Sequence, residues 1–281
     1  MNANDIHVTN GHVPVTEGAL PRESNPDFRA REGTTAAELD FTGERCIPGT
    51  SHPALVAQHV RRYAFAIESF ATASSACLDV GCGAGYGAAL LAGSCAQVTA
   101  IDVSEEAIAY ARRHYCRGNI DWMVQDACQL ALDDSSFDLV VAFEVIEHVP
   151  DAERFVSEVD RVLKDGGCLV LSTPVADSTH SHPENPFHVR EFLPADLKTL
   201  LSSRFALVEM FGQRREGLAG VIAPASGIRQ RLRRFFPRRT RAWMLRLAGE
   251  KPFAELQASD FVISRSLAGA EVIVAIARKG A

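Results

Sequence analysis

The sequence predicts a doubly wound α/β fold built on a mostly parallel sheet. Short apolar runs alternate with segments of helical periodicity from residue 53 to about residue 172. This alternation is typical of strand–helix–strand units, whose crossover connections are right-handed. The run Phe137–Phe143 is largely apolar, which indicates a strand that is buried on both faces.

A local sequence pattern predicts each helix and each strand. Residues 53–71 place Leu55, Val56 and Val60 on one side of a helix, and Ser104 precedes two acids as a helix cap does. The predicted helices span 53–71, 85–92, 104–116, 151–163 and 194–201. The predicted strands span 76–80, 97–101, 120–124, 137–143, 168–172, 205–211 and 271–277.

The amino-acid composition excludes several classes of protein. The 281 residues are 47% apolar and 23% charged, with a formal net charge of −6, which excludes collagen-like, coiled-coil and wholly disordered chains. No run of 18 apolar residues and no secretory signal is visible. The seven cysteines are odd in number and lack C-x-x-C spacing, so reduced thiols and a cytoplasmic location are expected.

Four segments are expected along the chain. Residues 1–40 are polar and aperiodic, and we predict a mobile tail. Residues 41–212 form the core with an N-terminal cap helix, 213–257 form an insertion, and 258–281 return to the core with the final strand. The insertion holds eight arginines and no acid between residues 229 and 246.

A glycine loop follows the first predicted strand. Asp79 ends that strand, and Gly81, Gly83 and Gly85 precede the next helix. Glycines permit a tight turn and a close approach of the backbone to a ligand. The run from Gly83 to Ala88 also satisfies the dinucleotide template, but the Asp79 carboxylate would repel a pyrophosphate and suits a cationic ligand that carries an ammonium and a sulfonium.

Two more acids end the next two predicted strands. Asp102 follows the second strand, where a carboxylate can accept two hydrogen bonds from ribose hydroxyls. Asp126 follows the third strand and can accept from an adenine amino group. Three acids at successive strand ends indicate one ligand site at the carboxyl edge of the sheet.

These motifs resemble those of the Rossmann-like S-adenosylmethionine-dependent methyltransferases over roughly residues 50–212 and the last strand. The resemblance rests on Asp79-x-Gly-x-Gly-x-Gly85, the two strand-end acids, the Phe137-Asp-Leu-Val-Val strand and Leu163-Lys-Asp-Gly-Gly-Cys-Leu-Val-Leu171. It implies seven strands with an antiparallel last strand. It also implies that Gly81 and Gly83 line the methionine moiety, Asp102 the ribose and Asp126 the adenine. The neighbours Cys82, Val103, Ala127 and Phe143 are included in the predicted cofactor site.

A candidate catalytic cluster follows the fourth strand. On a helical turn, Glu144, Glu147 and His148 would share one face, and His188 follows the fifth strand. The pattern resembles that of quinone-biosynthetic O-methyltransferases and small-RNA 3′-terminal 2′-O-methyltransferases, which implies a divalent metal (Mg²⁺, Mn²⁺ or Zn²⁺) on these four residues. Without a metal, His148 or His188 can act as general base, and Glu144 can serve to order the loop.

The cap helix supplies further candidates. Arg62 is predicted to pair with the methionine carboxylate and Tyr63 to pack over it, although a helix that only covers the sheet is an equal alternative. The segments Thr42-Gly-Glu-Arg45, His59-x-x-Arg-Tyr63 and Asn185-Pro-Phe-His-x-Arg-Glu-Phe192 resemble those of bacterial methyltransferases associated with glycan assembly.

We therefore expect an O-methyltransferase for a hydroxyl-bearing small molecule, with a sugar or glycan favoured. Arginine suits phosphate recognition, so the acceptor can be phosphorylated, while residues 228–247 can instead cover the core or contact an anionic membrane. The alternatives are a quinone or small-phenol O-methyltransferase, an RNA 3′-end methyltransferase and a non-catalytic cofactor-binding protein. The net acidity and the lack of an RNA-binding module disfavour nucleic acid.

Overall fold

The computed structural model describes residues 39, 45–176, 185–216, 251 and 255–280. The predicted N-terminal tail, apart from Leu39, and the arginine-rich run within 228–247 lie outside these residues. Their predicted roles therefore stay predictions.

One sheet of eight strands forms the centre of the fold. Its strands are β1 (Ala76–Val80), β2 (Gln97–Asp102), β3 (Ile120–Val124), β4 (Phe137–Phe143), β5 (Leu163–Pro174), β6 (Leu207–Arg215), β7 (Phe261–Ser264) and β8 (Val272–Arg278). Five helices accompany them: α1 (Pro53–Phe70), α2 (Tyr86–Leu91), α3 (Glu105–His114), α4 (Ala152–Val162) and α5 (Pro194–Ser202).

Local capping explains where the helices begin. The Ser104 hydroxyl accepts a hydrogen bond from the amide of Ala107, and the Asp151 carboxylate accepts one from Arg154 at 2.9 Å. Both side chains satisfy an amide that the first helical turn leaves without a partner. In the cap helix α1, Pro53 occupies the first position, where its missing amide proton costs nothing.

The strand order is β3-β2-β1-β4-β5-β8-β6-β7. Strands β1 to β5 pair in parallel, and β8 lies antiparallel between β5 and β6. The antiparallel final strand is therefore confirmed. The order reverses at β1 and β4, and the carboxyl ends of these two strands face the crevice in which such sheets bind ligands.

The predicted count of seven strands is wrong by one. Strand β6 continues to Arg215, two residues beyond the predicted start of the insertion, and this extension pairs with the extra strand β7. The predicted strand 168–172 is too short, because β5 begins at Leu163, directly after α4 ends at Val162, and continues to Pro174.

Apolar side chains pack on both faces of the sheet. On one face, Phe155, Val156 and Val159 of α4 are completely buried. On the other, Phe65 of α1 is completely buried and contacts Phe211 of β6, with ring centroids 5.7 Å apart. The two layers hold the carboxyl ends of the strands in fixed positions.

Two further features are the state of the cysteine thiols and the hydropathy of the helices. All seven cysteines are free thiols, and six of them are buried. Within the described ranges, no helix combines the length and the hydropathy that a bilayer crossing requires.

The α4 contact with the sheet gives a stability prediction. Phe155→Ala removes a completely buried ring and leaves a cavity, so the free energy of unfolding should fall by about 3–5 kcal/mol in urea denaturation. The control is Leu207→Ala, since Leu207 is 49% exposed and its truncation should cost less than about 1 kcal/mol. Equal losses in the two variants would show that Phe155 does not anchor α4.

Candidate active site

A cavity of about 530 Å³ opens at the carboxyl ends of β1, β2 and β4, and we call it the central cavity. Ten of the predicted site residues line it: Gly81, Cys82, Gly83, Asp102, Val103, Asp126, Ala127, Phe143, Glu144 and His148. The predicted residues Arg62, Asp79, Gly85, Glu147 and His188 are not part of this lining. The sequence motifs therefore locate one cavity, and five of the predicted residues lie outside its lining.

The glycine loop has a left-handed backbone at each of its three alternating glycines. The φ angles of Gly81, Gly83 and Gly85 are 68°, 52° and 88°, a region that other residues rarely adopt. An added Cβ would lie 2.6 Å from Val145 at Gly81 and 2.4 Å from Ala111 at Gly85. At Gly81 and Gly85, glycine is thus required by the packing of the loop on its own neighbours.

Asp79 is completely buried beneath the cap helix. The Tyr63 hydroxyl donates to its carboxylate, with oxygen–oxygen distances of 3.1 and 3.3 Å. Burial raises the pKa of Asp79 to about 8, and the Tyr63 hydrogen bond opposes part of this rise. A positive charge bound nearby would favour the ionised form.

Tyr63 packs over the glycine loop, while its predicted contact with the methionine carboxylate stays a prediction. Its ring meets that of Phe143 edge to face, with centroids 4.8 Å apart. A Cβ at Gly87 would lie 1.9 Å from the Tyr63 ring. Gly87 therefore provides the space in which the Tyr63 ring reaches Asp79.

The two other strand-end acids are positioned by backbone amides. Asp102 accepts from the amides of Gly83 and Ser104, each at 2.9 Å. Asp126 accepts from the amide of Cys128 at 2.8 Å. These contacts fix both carboxylates at the cavity wall and leave lone pairs for a ligand.

Arg62 does not reach the cavity as the sequence suggested. Its Nη1 atom lies 3.1 Å from Oε1 of Glu144, and its side chain is 1% exposed. The arginine that lines the cavity is Arg45, whose Cγ lies 3.8 Å from the position of a Cβ on Gly83. The contact between Arg62 and Glu144 joins α1 to the end of β4. Periodicity along the chain cannot reveal a contact between such distant segments.

Glu144 also departs from the prediction. Residues 144–148 are not a helical turn, because Glu144 has a φ of 55° and a separate turn joins Val145 to His148. The left-handed backbone costs about 1–3 kcal/mol, and Glu144 is not one of the residues whose ligand atoms converge with those of Glu147. Ser172 donates to that carboxylate at 2.6 Å. Glu144 is thus held by Arg62 and Ser172 and does not join the metal-ligand group.

Three of the four predicted metal ligands do come together. One ligand atom each of Glu147, His148 and His188 lies within 4.8 Å of the others. Glu147 is 0% exposed, and neither carboxylate oxygen has a hydrogen-bond partner in the described chain. Burial, followed by the charge of Glu144, raises the pKa of Glu147 well above its usual range. The neighbouring Thr173 hydroxyl lowers the pKa of Glu147, although it makes no hydrogen bond of normal geometry with the carboxylate.

The two histidines are held in different ways. His148 Nδ1 lies 2.9 Å from the carbonyl oxygen of Phe187, so Nδ1 carries the proton and Nε2 has a free lone pair. His188 uses both ring nitrogens, with Asn185 at 2.9 Å from Nε2 and Glu191 at 2.9 Å from Nδ1. Only His148 of this pair lines the central cavity.

Backbone contacts fasten the two loops that carry these side chains. The Glu147 carbonyl accepts from the amides of Val189 and Arg190 at 2.7 and 3.2 Å. The rings of His148 and His188 meet edge to face, with centroids 5.0 Å apart. The cluster is therefore built by a β4 loop and a β5 loop that hold each other.

The sequence motifs assign no individual role to several other residues of the cavity lining. These are Arg45, Cys46, His59, Tyr86, Gln125 and Phe187. The spacing of His59, Arg62 and Tyr63 on one helix face was a usable signal for His59. No comparable periodic signal marks the loop residues Arg45 and Phe187.

The sequence is similar to those of known proteins. A protein of Mycobacterium tuberculosis described as a probable S-adenosylmethionine-dependent methyltransferase is 38% identical over 200 residues, which are 69% of this chain and 71% of that protein. This chain belongs to the S-adenosylmethionine-dependent methyltransferases. A family described as "Methyltransferase domain" matches residues 78–171 of this methyltransferase, from β1 into β5.

Further matches cover part of the sequence or the fold alone. A ubiquinone biosynthesis O-methyltransferase of Xanthomonas oryzae is 43% identical over 99 residues, or 34% of this chain and 41% of that protein. The YcgJ protein of Bacillus subtilis has a TM-score of 0.53 at 20% identity, covering 78% of this chain and 98% of that one. A methyltransferase structure from Thermotoga maritima has a TM-score of 0.55 at 16% identity, covering 80% and 91%. These two structures show the shared fold.

The burial of Asp79 gives a prediction with opposite effects on stability and binding. Its raised pKa means that the native carboxyl stays protonated between about pH 4 and pH 8, while the unfolded one ionises. The wild type should therefore lose unfolding free energy as the pH rises across this window. Asp79→Asn should remove this loss and be the more stable protein at pH 8, yet bind S-adenosylhomocysteine more weakly.

Urea denaturation from pH 5 to pH 9 and calorimetry measure the two effects. Asp121→Asn is the control, since Asp121 is exposed on β3 and its loss should leave both quantities unchanged. A stability difference between Asp79→Asn and wild type that is constant with pH would show that Asp79 titrates normally.

Proposed function

We propose that this methyltransferase transfers a methyl group to the oxygen of a hydroxyl-bearing small molecule, and that a sugar or glycan is the favoured acceptor. The observation that supports oxygen transfer is the fixed tautomer of His148, whose unprotonated Nε2 belongs to a residue of the cavity wall. A hydroxyl needs a base of this kind, because it is a poor nucleophile near neutral pH.

The residues of the cavity fit the cofactor of the family. Asp102 and Asp126 present carboxylates for ribose and adenine groups, and Gly83 leaves backbone space beside them. Arg45 replaces Arg62 as the cation for the methionine carboxylate. S-adenosylmethionine supplies a methyl group on a sulfonium sulfur, and the sulfur keeps the electron pair when the methyl group leaves.

The proton of the acceptor has one favoured destination. His148 Nε2 can take it while Nδ1 stays bonded to the carbonyl of Phe187, which holds the ring in one orientation. His188 is less suited, because both of its nitrogens already have hydrogen-bond partners and it is not part of the cavity lining.

Two sequence similarities bear on the choice of acceptor. The match to a ubiquinone biosynthesis O-methyltransferase supports oxygen as the target atom and keeps a phenolic acceptor as the second candidate. The resemblance of the His59-x-x-Arg-Tyr63 and Asn185–Phe192 segments to glycan-associated methyltransferases favours a sugar. Both segments contribute residues to the central cavity, namely His59, Tyr63 and Phe187.

A methyl-transfer panel tests the proposal. Labelled S-adenosylmethionine is incubated with maltoheptaose, UDP-glucose, 3,4-dihydroxybenzoate, a short RNA and the polysaccharide fraction of a bacterial extract. We expect label in sugar pools as a base-stable methyl ether. His148→Gln should lower kcat by roughly 10²–10⁴-fold with little change in the Kd of S-adenosylhomocysteine, as expected for loss of a general base. His114→Gln, on α3, is the matched control.

The other results of the panel separate the alternatives. Label in the dihydroxybenzoate alone supports the phenolic acceptor, and label in RNA supports RNA methylation. Tight binding of S-adenosylhomocysteine without transfer to any pool identifies a non-catalytic binding protein.

As the alternative to proton transfer to His148, we propose that Glu147, His148 and His188 hold a divalent cation. A His148 Nε2 atom bound to a metal cannot also take a proton, and one His188 nitrogen would exchange its hydrogen bond to Asn185 or Glu191 for the cation. Two observations support a fit: the Glu147 carboxylate is buried without a partner, and two imidazoles lie beside it. One carboxylate and two imidazoles suit Zn²⁺ or Mn²⁺ better than Mg²⁺, which prefers oxygen ligands. A cation there would lower the pKa of a nearby acceptor hydroxyl.

Titration of chelator-treated protein tests the cation site. Calorimetry should show binding of Mn²⁺ or Zn²⁺ by the wild type and at least about tenfold weaker binding by Glu147→Gln, which lacks the charged ligand. Glu106→Gln, which alters an exposed acid in the first turn of α3, should bind like the wild type. Unchanged methyl transfer after chelation, together with no measurable cation binding, would exclude the metal.

A further inference from the structure

His59 is a polar group of the central cavity to which the proposed mechanism gives no task. It lies in the middle of the cap helix α1, and its side chain forms part of the cavity wall. Neither ring nitrogen has a hydrogen-bond partner within the described residues. Polar side chains in such places are normally paired with protein, water or ligand, so the imidazole is available to a bound molecule.

The helix geometry places His59 towards the reactive end of the cavity. Arg62 and Tyr63 are three and four residues further on, so the three side chains share one face of α1. From this face Arg62 pairs with Glu144 at the end of β4, four residues before His148. His59 therefore belongs to the wall that faces the β4 loop, and the adenine side is formed by Asp102 and Asp126.

The charge state of His59 limits what it can bind. Burial and the positive charge of Arg62 hold the pKa of His59 well below its usual range, so the ring is neutral at physiological pH. A neutral imidazole is a weak partner for the methionine carboxylate, for which Arg45 offers a full positive charge at the same cavity. The neutral His59 imidazole is instead a good hydrogen-bond acceptor for a hydroxyl.

We propose that His59 binds the acceptor, by accepting a hydrogen bond from an acceptor hydroxyl on the cap-helix side of the cavity, opposite His148. This inference rests on the proposed transfer to oxygen. His148 takes the proton that is lost in the reaction, and His59 only orients the acceptor, so no proton is transferred to His59. Two imidazoles on facing walls would select a molecule with at least two neighbouring hydroxyls, as sugars and catechols have.

Steady-state kinetics and calorimetry separate this role from cofactor binding. The probe is whichever of maltoheptaose and 3,4-dihydroxybenzoate accepts the label, or otherwise the labelled polysaccharide fraction. His59→Ala should lower kcat/KM for the probe by about tenfold or more, the value of one lost hydrogen bond that helps to orient the reacting group. The Kd of S-adenosylhomocysteine should change less than twofold. His59→Asn, which keeps a hydrogen-bond acceptor, should recover part of the loss.

Two comparison variants show the results expected for a residue that binds the cofactor and for a residue outside the site. Arg45→Gln should weaken S-adenosylhomocysteine binding, and His114→Gln should leave both quantities at wild-type values. A His59→Ala variant that loses cofactor affinity like Arg45→Gln, or that behaves like His114→Gln, overturns the acceptor role while the proposed function stands. A wild type that transfers label to no pool overturns the proposed function, and the acceptor role with it.

Discussion

The ion pair between Arg62 and Glu144 connects the cap helix α1 to the end of β4, and the loop that carries Glu147 and His148 starts from it. It holds Glu144 in a left-handed backbone conformation that would otherwise be unfavourable. That conformation sets the direction in which residues 145–148 leave the strand, and so the positions of Glu147 and His148. Because the Arg62 side chain is almost wholly buried, loss of either partner would leave an uncompensated charge.

Two buried acids destabilise the protein when their carboxylates are ionised. Asp79 and Glu147 are both fully buried with raised pKa values, one beside the glycine loop and the other beside two imidazoles. Cationic ligands near these groups would stabilise their ionised forms and, by linkage, the fold itself. The burial that disfavours the two ionised carboxylates would therefore favour a positively charged ligand beside either of them.

Local patterns predicted most of the fold, since the bounds of β1, β3 and β4 follow directly from their apolar runs. Acids and glycines at strand ends located the cavity, because parallel strands bring those ends together. The failures concern contacts between distant segments. Arg62 was assigned to the cofactor and Glu144 to a metal, yet they bind each other across 82 residues of chain, and the positive φ of Glu144 has no signature in its residue type.

The position of β8 has a consequence for the order of folding. This strand lies between β5 and β6, although both of those neighbours precede it in the chain. During synthesis the sheet must keep a gap with two open edges until residues 272–278 have emerged. Such exposed edges are prone to pairing with other chains. We therefore expect the slow step in folding to be the pairing of β8 with β5 and β6. This pairing joins segments that are distant in the chain, and the formation of local helices does not accelerate it.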